Sequence, residues 1–87
     1  MGHFVYILQS LKDFTYYKGY TQNLEKRLAS HNNGESKYTS RKTPWKIVYY
    51  QELSSKTEAL VRERQLKRVN MNYLKLIIEQ FAEKQIG

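Results

Sequence analysis

The 87-residue sequence contains no cysteine, a single proline and few acidic side chains. The lack of cysteine excludes a disulfide scaffold and any thiolate metal site, and it fits a reducing cytoplasm. No stretch approaches the roughly 20 consecutive apolar residues that span a bilayer, so no membrane partner is expected. The first residues carry no basic segment ahead of an apolar one, so we expect no secretory signal. These absences favour a cytoplasmic protein.

Positive charge dominates the surface that this composition predicts. Fifteen lysines and arginines face eight acidic residues, which gives a net charge of +7. Residues 37–46 hold four basic side chains and no acid, and aromatic residues lie among and beside them at Tyr38, Trp45, Tyr49 and Tyr50. Basic and aromatic residues interleaved in this way favour nucleic acid as the partner, with a merely solubilising charge as the alternative. A membrane surface is disfavoured because the segment has no helical apolar stripe.

Hydrophobic patterning predicts a single α+β domain over residues 1–87, with a three-stranded antiparallel sheet, packed helices and the order β-β-α-β-α-α. Strands are predicted at 3–9, 14–21 and 45–53. Gly19, inside the second strand, indicates a bulge or a close approach of another group to the backbone. In the third strand the pattern places Ile47 and Tyr49 on one face and Val48 and Tyr50 on the other, which predicts a central strand.

Capping residues mark the predicted helices. Asn23 is a good N-cap for a helix that runs to about His31. Ser55 begins a capping box, so a second helix is predicted from Lys56 towards Val69. Apolar residues at three- and four-residue spacing then predict an amphipathic C-terminal helix. Between the first helix and the third strand, the polar segment 35–44 is predicted to be a mobile loop.

Five polar residues form the candidate site: Tyr6, Tyr17, Arg27, His31 and Glu63. Arg27 and His31 are four residues apart on a predicted helix, so they share a face. Brought together, these groups could orient a water, neutralise a phosphate and hold one divalent cation, which is the equipment of a phosphodiesterase. The alternatives are ordinary packing for the two tyrosines, capping of helix carbonyls for His31, and a solvated Glu63 paired with Lys67 at i+4.

These residues and their order resemble the GIY-YIG nuclease family. Phe4-Val5-Tyr6 stands where the family has Gly-Ile-Tyr, and Tyr17-Lys18-Gly19 stands where it has Tyr-Ile-Gly. Arg27 and His31 follow in the next helix, and the segment around Glu63 is similar to the family's metal-binding segment. More narrowly, the chain resembles the small single-domain bacterial members related to the nuclease domain of the excision-repair incision enzyme.

The resemblance assigns each residue a task. It implies that Glu63 holds one Mg²⁺ or Mn²⁺, that Arg27 binds the scissile phosphate, and that Tyr17, with Tyr6 as its partner, orients the water or accepts its proton. His31 would relay a proton or contact phosphate. The chain departs from the family pattern at Phe4 and at Lys18, which is either an exposed strand residue or an added phosphate contact. Asn70 and Asn72 are available for the family's active-site asparagine, but neither matches its spacing.

The resulting prediction is a metal-dependent endonuclease that hydrolyses phosphodiester bonds of DNA, with a role in DNA repair or processing. Four basic residues are candidate contacts to nucleic acid: Lys18, Lys37, Arg41 and Lys42. One alternative is a module that binds nucleic acid without cleaving it, and another is an interaction domain within a larger assembly. The sequence leaves the oligomeric state and the form of the DNA substrate open.

Overall fold

The computed structural model describes residues 2–86, so Met1 and Gly87, the two ends of the predicted domain, lie outside the described residues. Asn23 and Ser55 cap their helices with side-chain hydrogen bonds to backbone N–H groups, as predicted. The α+β architecture of a three-stranded antiparallel sheet with packed helices is confirmed. In chain order the elements are β1 (His3–Ser10), β2 (Tyr16–Thr21), α1 (Leu24–Asn32), α2 (Lys37–Ser40), β3 (Trp45–Leu53), α3 (Lys56–Arg68) and α4 (Met71–Ile86).

The strand order is β2-β1-β3, so β1 is the central strand. Four consecutive residues of β1, from Val5 to Leu8, are buried because helices cover both faces of the sheet. The prediction that β3 is central was wrong. β3 lies at an edge, and its apolar side chains point to both faces because each face has its own helical layer.

A β-bulge changes the alternation of side chains along β3. Ile7 of β1 pairs with Tyr49, whereas the next residue, Leu8, pairs with Ile47, so Val48 is an extra residue on the β3 side. Two residues opposite one reverse the usual alternation at that point. As a result Ile47 packs with the α1 layer, whereas Tyr49 belongs to the opposite core. The prediction that Ile47 and Tyr49 share a face was therefore wrong.

Two hydrophobic clusters lie on opposite faces of the sheet. The larger joins the sheet to α3 and α4 and contains Val5, Ile7, Tyr49, Ala59, Leu66 and Leu74. The smaller lies under α1 and contains Tyr6, Leu8 and Trp45. The first cluster has six buried residues and the second has three, and complete burial of a leucine such as Leu66 contributes about 1.5–3 kcal/mol, so the first cluster makes the larger hydrophobic contribution to stability. The second cluster includes Tyr6, and the candidate site is built around it.

The segment predicted to be a mobile loop contains α2, a one-turn helix. Tertiary packing holds this segment in place, because Thr39 within it is completely buried. No helix among residues 2–86 is long and apolar enough to cross a membrane.

Candidate active site

The site begins with the pairing of Tyr6 on β1 with Gly19 on β2. A Cβ atom at position 19 would lie 2.5 Å from the phenol oxygen of Tyr6, so glycine is what allows the Tyr6 ring to cross the neighbouring strand. The close approach that Gly19 predicted is thereby confirmed. Tyr17 lies on the same face, with its ring centroid 6.4 Å from that of Tyr6 and 4.9 Å from that of His31.

Helix α1 supplies the next two groups. Arg27 Nε donates to the Tyr6 phenol oxygen at 3.4 Å, and the same oxygen lies 3.1 Å from Nε2 of His31. His31 is buried, whereas Arg27 is exposed and lines two clefts on the surface of α1. The i, i+4 spacing of Arg27 and His31 thus brings both residues to one phenol oxygen.

The environment of each group sets its charge. Burial raises the pKa of Tyr6. The hydrogen bond and the charge of Arg27 each lower this pKa by less than burial raises it, and the charges of Tyr17 and Glu63 add smaller increases. The hydrogen bond to Tyr6 is the main reason that the pKa of Arg27 is raised. Burial, followed by the charge of Arg27, lowers the pKa of His31. At neutral pH the site therefore holds a phenol at Tyr6, a cationic Arg27 and a neutral His31.

Glu63 lies on the inward stripe of α3, four residues after Ala59 and three before Leu66. Its side chain is 19% exposed, and its carboxylate is 3.5 Å from the ammonium of Lys67, which is 56% exposed. The i, i+4 pair with Lys67 that the sequence offered as an alternative is thus present. The pKa of Tyr6 is raised mainly by burial, and the charge of Glu63 is the smallest contributor to that rise.

The single carboxylate among the five candidate residues, that of Glu63, suits a cation that needs few protein ligands. Among residues 2–86, no group of three or more His, Cys, Asp or Glu side chains converges on a point where a metal could bind. This excludes an all-protein cage within that range. Mg²⁺ commonly binds through one or two carboxylates and keeps several waters, which substrate phosphate can replace. Glu63 fits that mode of binding.

A basic surface adjoins the site at α2, and we call it the α2 surface. It borders a cavity of about 630 Å³, larger than the one of about 320 Å³ beside Arg27 and His31. Tyr38 is 58% exposed, and its ring centroid lies 6.1 Å from that of Tyr17, so the surface continues into the site. The α2 surface consists of Lys37, Tyr38, Ser40, Arg41 and Lys42.

The basic residues predicted to contact nucleic acid are not equivalent. Lys37 and Arg41 are exposed on the α2 surface. The Lys42 ammonium lies 3.4 Å from the Asp13 carboxylate and 5.2 Å from the centroid of the Tyr38 ring, so it is already engaged by the protein. Lys18 pairs with Ile7, whose side chain belongs to the α3–α4 core, and lines a cavity with Met71 and Lys75 on the side away from Tyr17.

The two candidate asparagines lie at the start of α4. Asn70 Oδ1 accepts the backbone N–H of Tyr73 at 2.8 Å, which makes Asn70 an N-terminal cap of that helix. Asn72 is an exposed residue in the first turn. Neither forms a hydrogen bond with the five candidate residues in the described part of the chain.

The structure adds a residue that sequence reasoning missed. The hydroxyl of Thr39 lies 2.9 Å from Nδ1 of His31, and the indole N–H of Trp45 donates to the Thr39 carbonyl at 2.9 Å. A threonine in a polar, basic segment is typical of a surface loop, so its local sequence gives no sign of this role. The only signal is indirect, because a buried histidine needs partners for both ring nitrogens.

Comparison with known proteins identifies the family. Residues 2–74 match the GIY-YIG catalytic domain. The chain belongs to the GIY-YIG family. The UPF0213 protein of Clostridium perfringens is 42% identical over 92 residues, covering 98% of each chain. A UPF0213 protein of Natronomonas pharaonis is 44% identical over 69 residues, covering 78% of this chain and 80% of its own.

A solved structure of a UPF0213 protein gives the same result for the fold. The solution NMR structure of the UPF0213 protein from Bacillus halodurans superposes with a TM-score of 0.59 at 32% identity. The superposition covers 92% of this chain and 85% of that protein. The chain thus has a nuclease-like fold of GIY-YIG type and is similar to small UPF0213 proteins.

Proposed function

We propose that this chain, acting as one domain over residues 1–87, is a metal-dependent DNA endonuclease that hydrolyses phosphodiester bonds. One observation carries the proposal. A single phenol oxygen, that of Tyr6, is held by both Arg27 and His31. A tyrosine that served only packing would not need two hydrogen-bond partners from one helix.

Arg27 is suited to hold the scissile phosphate. Its Nε–H is used on Tyr6, which fixes the guanidinium plane, and the exposed side chain leaves its amino groups for phosphate oxygens. A guanidinium recognises two oxygens at once and stays charged at every relevant pH. The exposed cleft lined by Arg27 and Ser30 is open to a polymer backbone.

Tyr17 is the group that we assign to the attacking water. It lies beside Tyr6 and His31 at the border with the α2 surface, where a bound strand would pass. A bound Mg²⁺ or Mn²⁺ would supply Lewis acidity at the phosphate and at the water, and Glu63 would hold it. Tyr6 remains a phenol at neutral pH, so it orients the site as a hydrogen-bonding group.

DNA is the partner that the charge favours. The α2 surface combines exposed Lys37 and Arg41 with an exposed Tyr38, which is the pattern of backbone contacts beside an aromatic ring that can stack on a base. A role in repair or processing of DNA follows from family analogy alone, since a fold does not fix a biological task. The second candidate, a module that binds nucleic acid without cleavage, would use the same surface but would not need Glu63.

The decisive experiment measures nicking of supercoiled, single-stranded and branched DNA with Mg²⁺, Mn²⁺ or EDTA. We expect metal-dependent cleavage by the wild type and a loss of about 10²-fold or more in Glu63→Gln, with DNA affinity retained. Glu79→Gln is the matched control, because it removes an exposed carboxylate from α4. Binding without cleavage of every substrate would replace the nuclease by the second candidate.

A further inference from the structure

The hydrogen bonds of His31 contain information about where its proton lies. Nε2 of the ring faces the Tyr6 phenol oxygen at 3.1 Å, and Nδ1 faces the Thr39 hydroxyl at 2.9 Å. A neutral imidazole donates from one nitrogen and accepts at the other. Two arrangements are therefore possible. Either the ring donates to Thr39 and accepts from Tyr6, or it accepts from Thr39 and donates to Tyr6.

The burial of Thr39 distinguishes the two arrangements. Thr39 has no exposed surface, and within residues 2–86 its hydroxyl has one hydrogen-bond partner, His31 Nδ1. If the ring donated to Thr39, the hydroxyl proton of Thr39 would be left in the core without an acceptor. A buried donor without an acceptor costs more free energy than a buried hydroxyl oxygen with an unused lone pair, because each hydroxyl has two lone pairs and one proton.

In the other arrangement the histidine ring accepts from Thr39 and donates to Tyr6. The proton without an identified acceptor is then that of the Tyr6 phenol. Tyr6 is 2% exposed, but its oxygen contacts the exposed Arg27, so a water or a substrate oxygen that reaches Arg27 also lies near that proton. The oxygen itself then accepts two N–H groups, from Arg27 Nε and from His31 Nε2. The proton without an identified acceptor then lies beside an exposed side chain and not on the fully buried Thr39, so this arrangement is the favoured one.

We propose that Thr39 is a positioning residue of the site, whose hydroxyl donates to Nδ1 of His31 and thereby fixes the histidine as the Nε2–H tautomer that donates to Tyr6. The functional part of this inference rests on the nuclease function proposed above. His31 then acts as a hydrogen-bond donor that orients the phenol proton towards the substrate, and it does not accept a proton from Tyr6.

Trp45 holds Thr39 in place for this task. Its indole N–H donates to the Thr39 carbonyl, and its ring is buried against Tyr17 on the α1 side of the sheet. The first residue of β3 thus anchors α2, and α2 carries the hydroxyl that contacts His31. The segment predicted to be a loop is therefore held by the same contacts that place the Thr39 hydroxyl beside His31.

The tautomer can be measured without any activity. A long-range ¹H–¹⁵N correlation spectrum of histidine-labelled protein at neutral pH distinguishes the protonated ring nitrogen from the unprotonated one, and a His3→Gln variant assigns the two histidines. We expect the Nε2–H form of His31 in the wild type and in Thr39→Ser, which keeps the hydroxyl. In Thr39→Val, which has a similar shape without the hydroxyl, we expect a mixture or the Nδ1–H form.

Cleavage provides the second readout. Thr39→Val should lower the rate of nicking by about tenfold, which corresponds to the loss of one hydrogen bond, and Thr39→Ser should restore it to within about twofold of the wild type. An Nδ1–H tautomer in the wild type, which needs no variant to fold, would overturn the proposal. So would an Nε2–H tautomer that persists in folded Thr39→Val. Absence of cleavage with the expected tautomers would refute the proposed function but keep the positioning role of Thr39.

Discussion

The phenol oxygen of Tyr6 lies over Gly19, at a point 2.5 Å from where the Cβ of any other residue would be. The two residues are direct partners in the β1–β2 ladder, so the approach is fixed by strand register. The glycine therefore defines the path of the Tyr6 ring between the strand and helix α1. Gly19, the last residue of the triplet Tyr17-Lys18-Gly19, thus leaves the space that Tyr6, the last residue of the first triplet, occupies.

We expect Gly19→Ala to displace the Tyr6 ring and to separate its oxygen from Arg27 and His31. Overpacking at a closely filled site costs about 1–3 kcal/mol of unfolding free energy, and cleavage should fall by about tenfold or more. Chemical denaturation and the nicking assay measure the two effects. Tyr16→Phe on the same strand, whose side chain packs on the opposite face, is the control. Wild-type cleavage by Gly19→Ala would contradict this account.

The local elements of the fold were predictable because their signals lie in adjacent residues. Asn23 and Ser55 each accept a backbone N–H three residues ahead, as an N-cap does, and the helices begin where these residues predict. The position of β3 was not predictable in the same way. A β-bulge at Val48 and the order of strands depend on pairing with β1, which is about 40 residues earlier in the chain.

The candidate site was predictable only in part for a similar reason. The spacing of Arg27 and His31 indicates a shared face, and the resemblance to the GIY-YIG family supplied Tyr6, Tyr17 and Glu63. Thr39 and Trp45 were missed because their contact with His31 arises from the packing of α2 against α1 and β3. Strand alternation alone places Lys18 and Tyr17 on opposite faces, but which face carries Lys18 follows from its pairing with Ile7, which a triplet motif does not contain.

The two tyrosines should differ in what their hydroxyls contribute. Tyr6→Phe removes the oxygen that Arg27 and His31 share, so a buried ring nitrogen of His31 loses its partner. We expect a loss of about 1–3 kcal/mol of stability and a fall in cleavage of about 10²-fold or more. Tyr17→Phe should lower cleavage while changing stability by less than about 0.5 kcal/mol. Equal losses of stability in the two variants would contradict the claim that the Tyr6 hydroxyl, as the shared partner of Arg27 and His31, stabilises the fold more than the Tyr17 hydroxyl does.

Lys67 should compete with the metal for Glu63. The two side chains are 3.5 Å apart, so a cation bound by Glu63 must share or displace the ammonium. We expect Lys67→Met to lower the Mg²⁺ concentration needed for half-maximal cleavage by up to about fivefold, consistent with the roughly 0.2–1 kcal/mol of an exposed ion pair. Metal titrations of the nicking rate measure this. Lys56→Met, at the start of the same helix, is the control. If Lys67→Met needed the same Mg²⁺ concentration as the wild type for half-maximal cleavage, or a higher one, the competition would be refuted.

Acid should weaken the fold through His31. Its pKa is lowered in the folded state by burial and by Arg27, whereas the unfolded chain has the ordinary value of 6.5. The unfolded state therefore binds the additional proton, and stability falls as the pH drops from about 7 through 6.5 and below. The other titratable groups that face the ring or line its cavity are Tyr6, Tyr17, Arg27 and Glu35.

Denaturation in urea at pH 7.5 and pH 5 tests this linkage. His31→Gln should show a smaller loss of stability between the two pH values, since the group responsible has been removed. His3 is present in both proteins, so its contribution cancels in the comparison. An equal loss in wild type and variant would assign the acid sensitivity to other groups.

The turn between β1 and β2 contains a strained residue that offers a stability gain. Phe14 has a φ of 64°, in the left-handed region, and its side chain is 65% exposed. A left-handed conformation costs a non-glycine residue about 1–2 kcal/mol, and so exposed a ring returns little of that through burial. Its N–H closes the turn onto the Ser10 carbonyl at 3.0 Å, so the backbone is held in this conformation.

Phe14→Gly should therefore stabilise the protein, because the strain removed exceeds the added entropy of the unfolded chain. We expect a net gain of about 0.5–1 kcal/mol, which for a domain of this size raises the melting temperature by roughly 2–8 °C. Leu11→Gly, in the same turn but without a positive φ, should lower stability because it relieves no strain, adds the entropic cost and removes a half-buried side chain. Calorimetry measures the expected rise in melting temperature for Phe14→Gly and the expected fall for Leu11→Gly. A lower melting temperature for Phe14→Gly would mean that the exposed ring contributes more to the fold than its backbone costs.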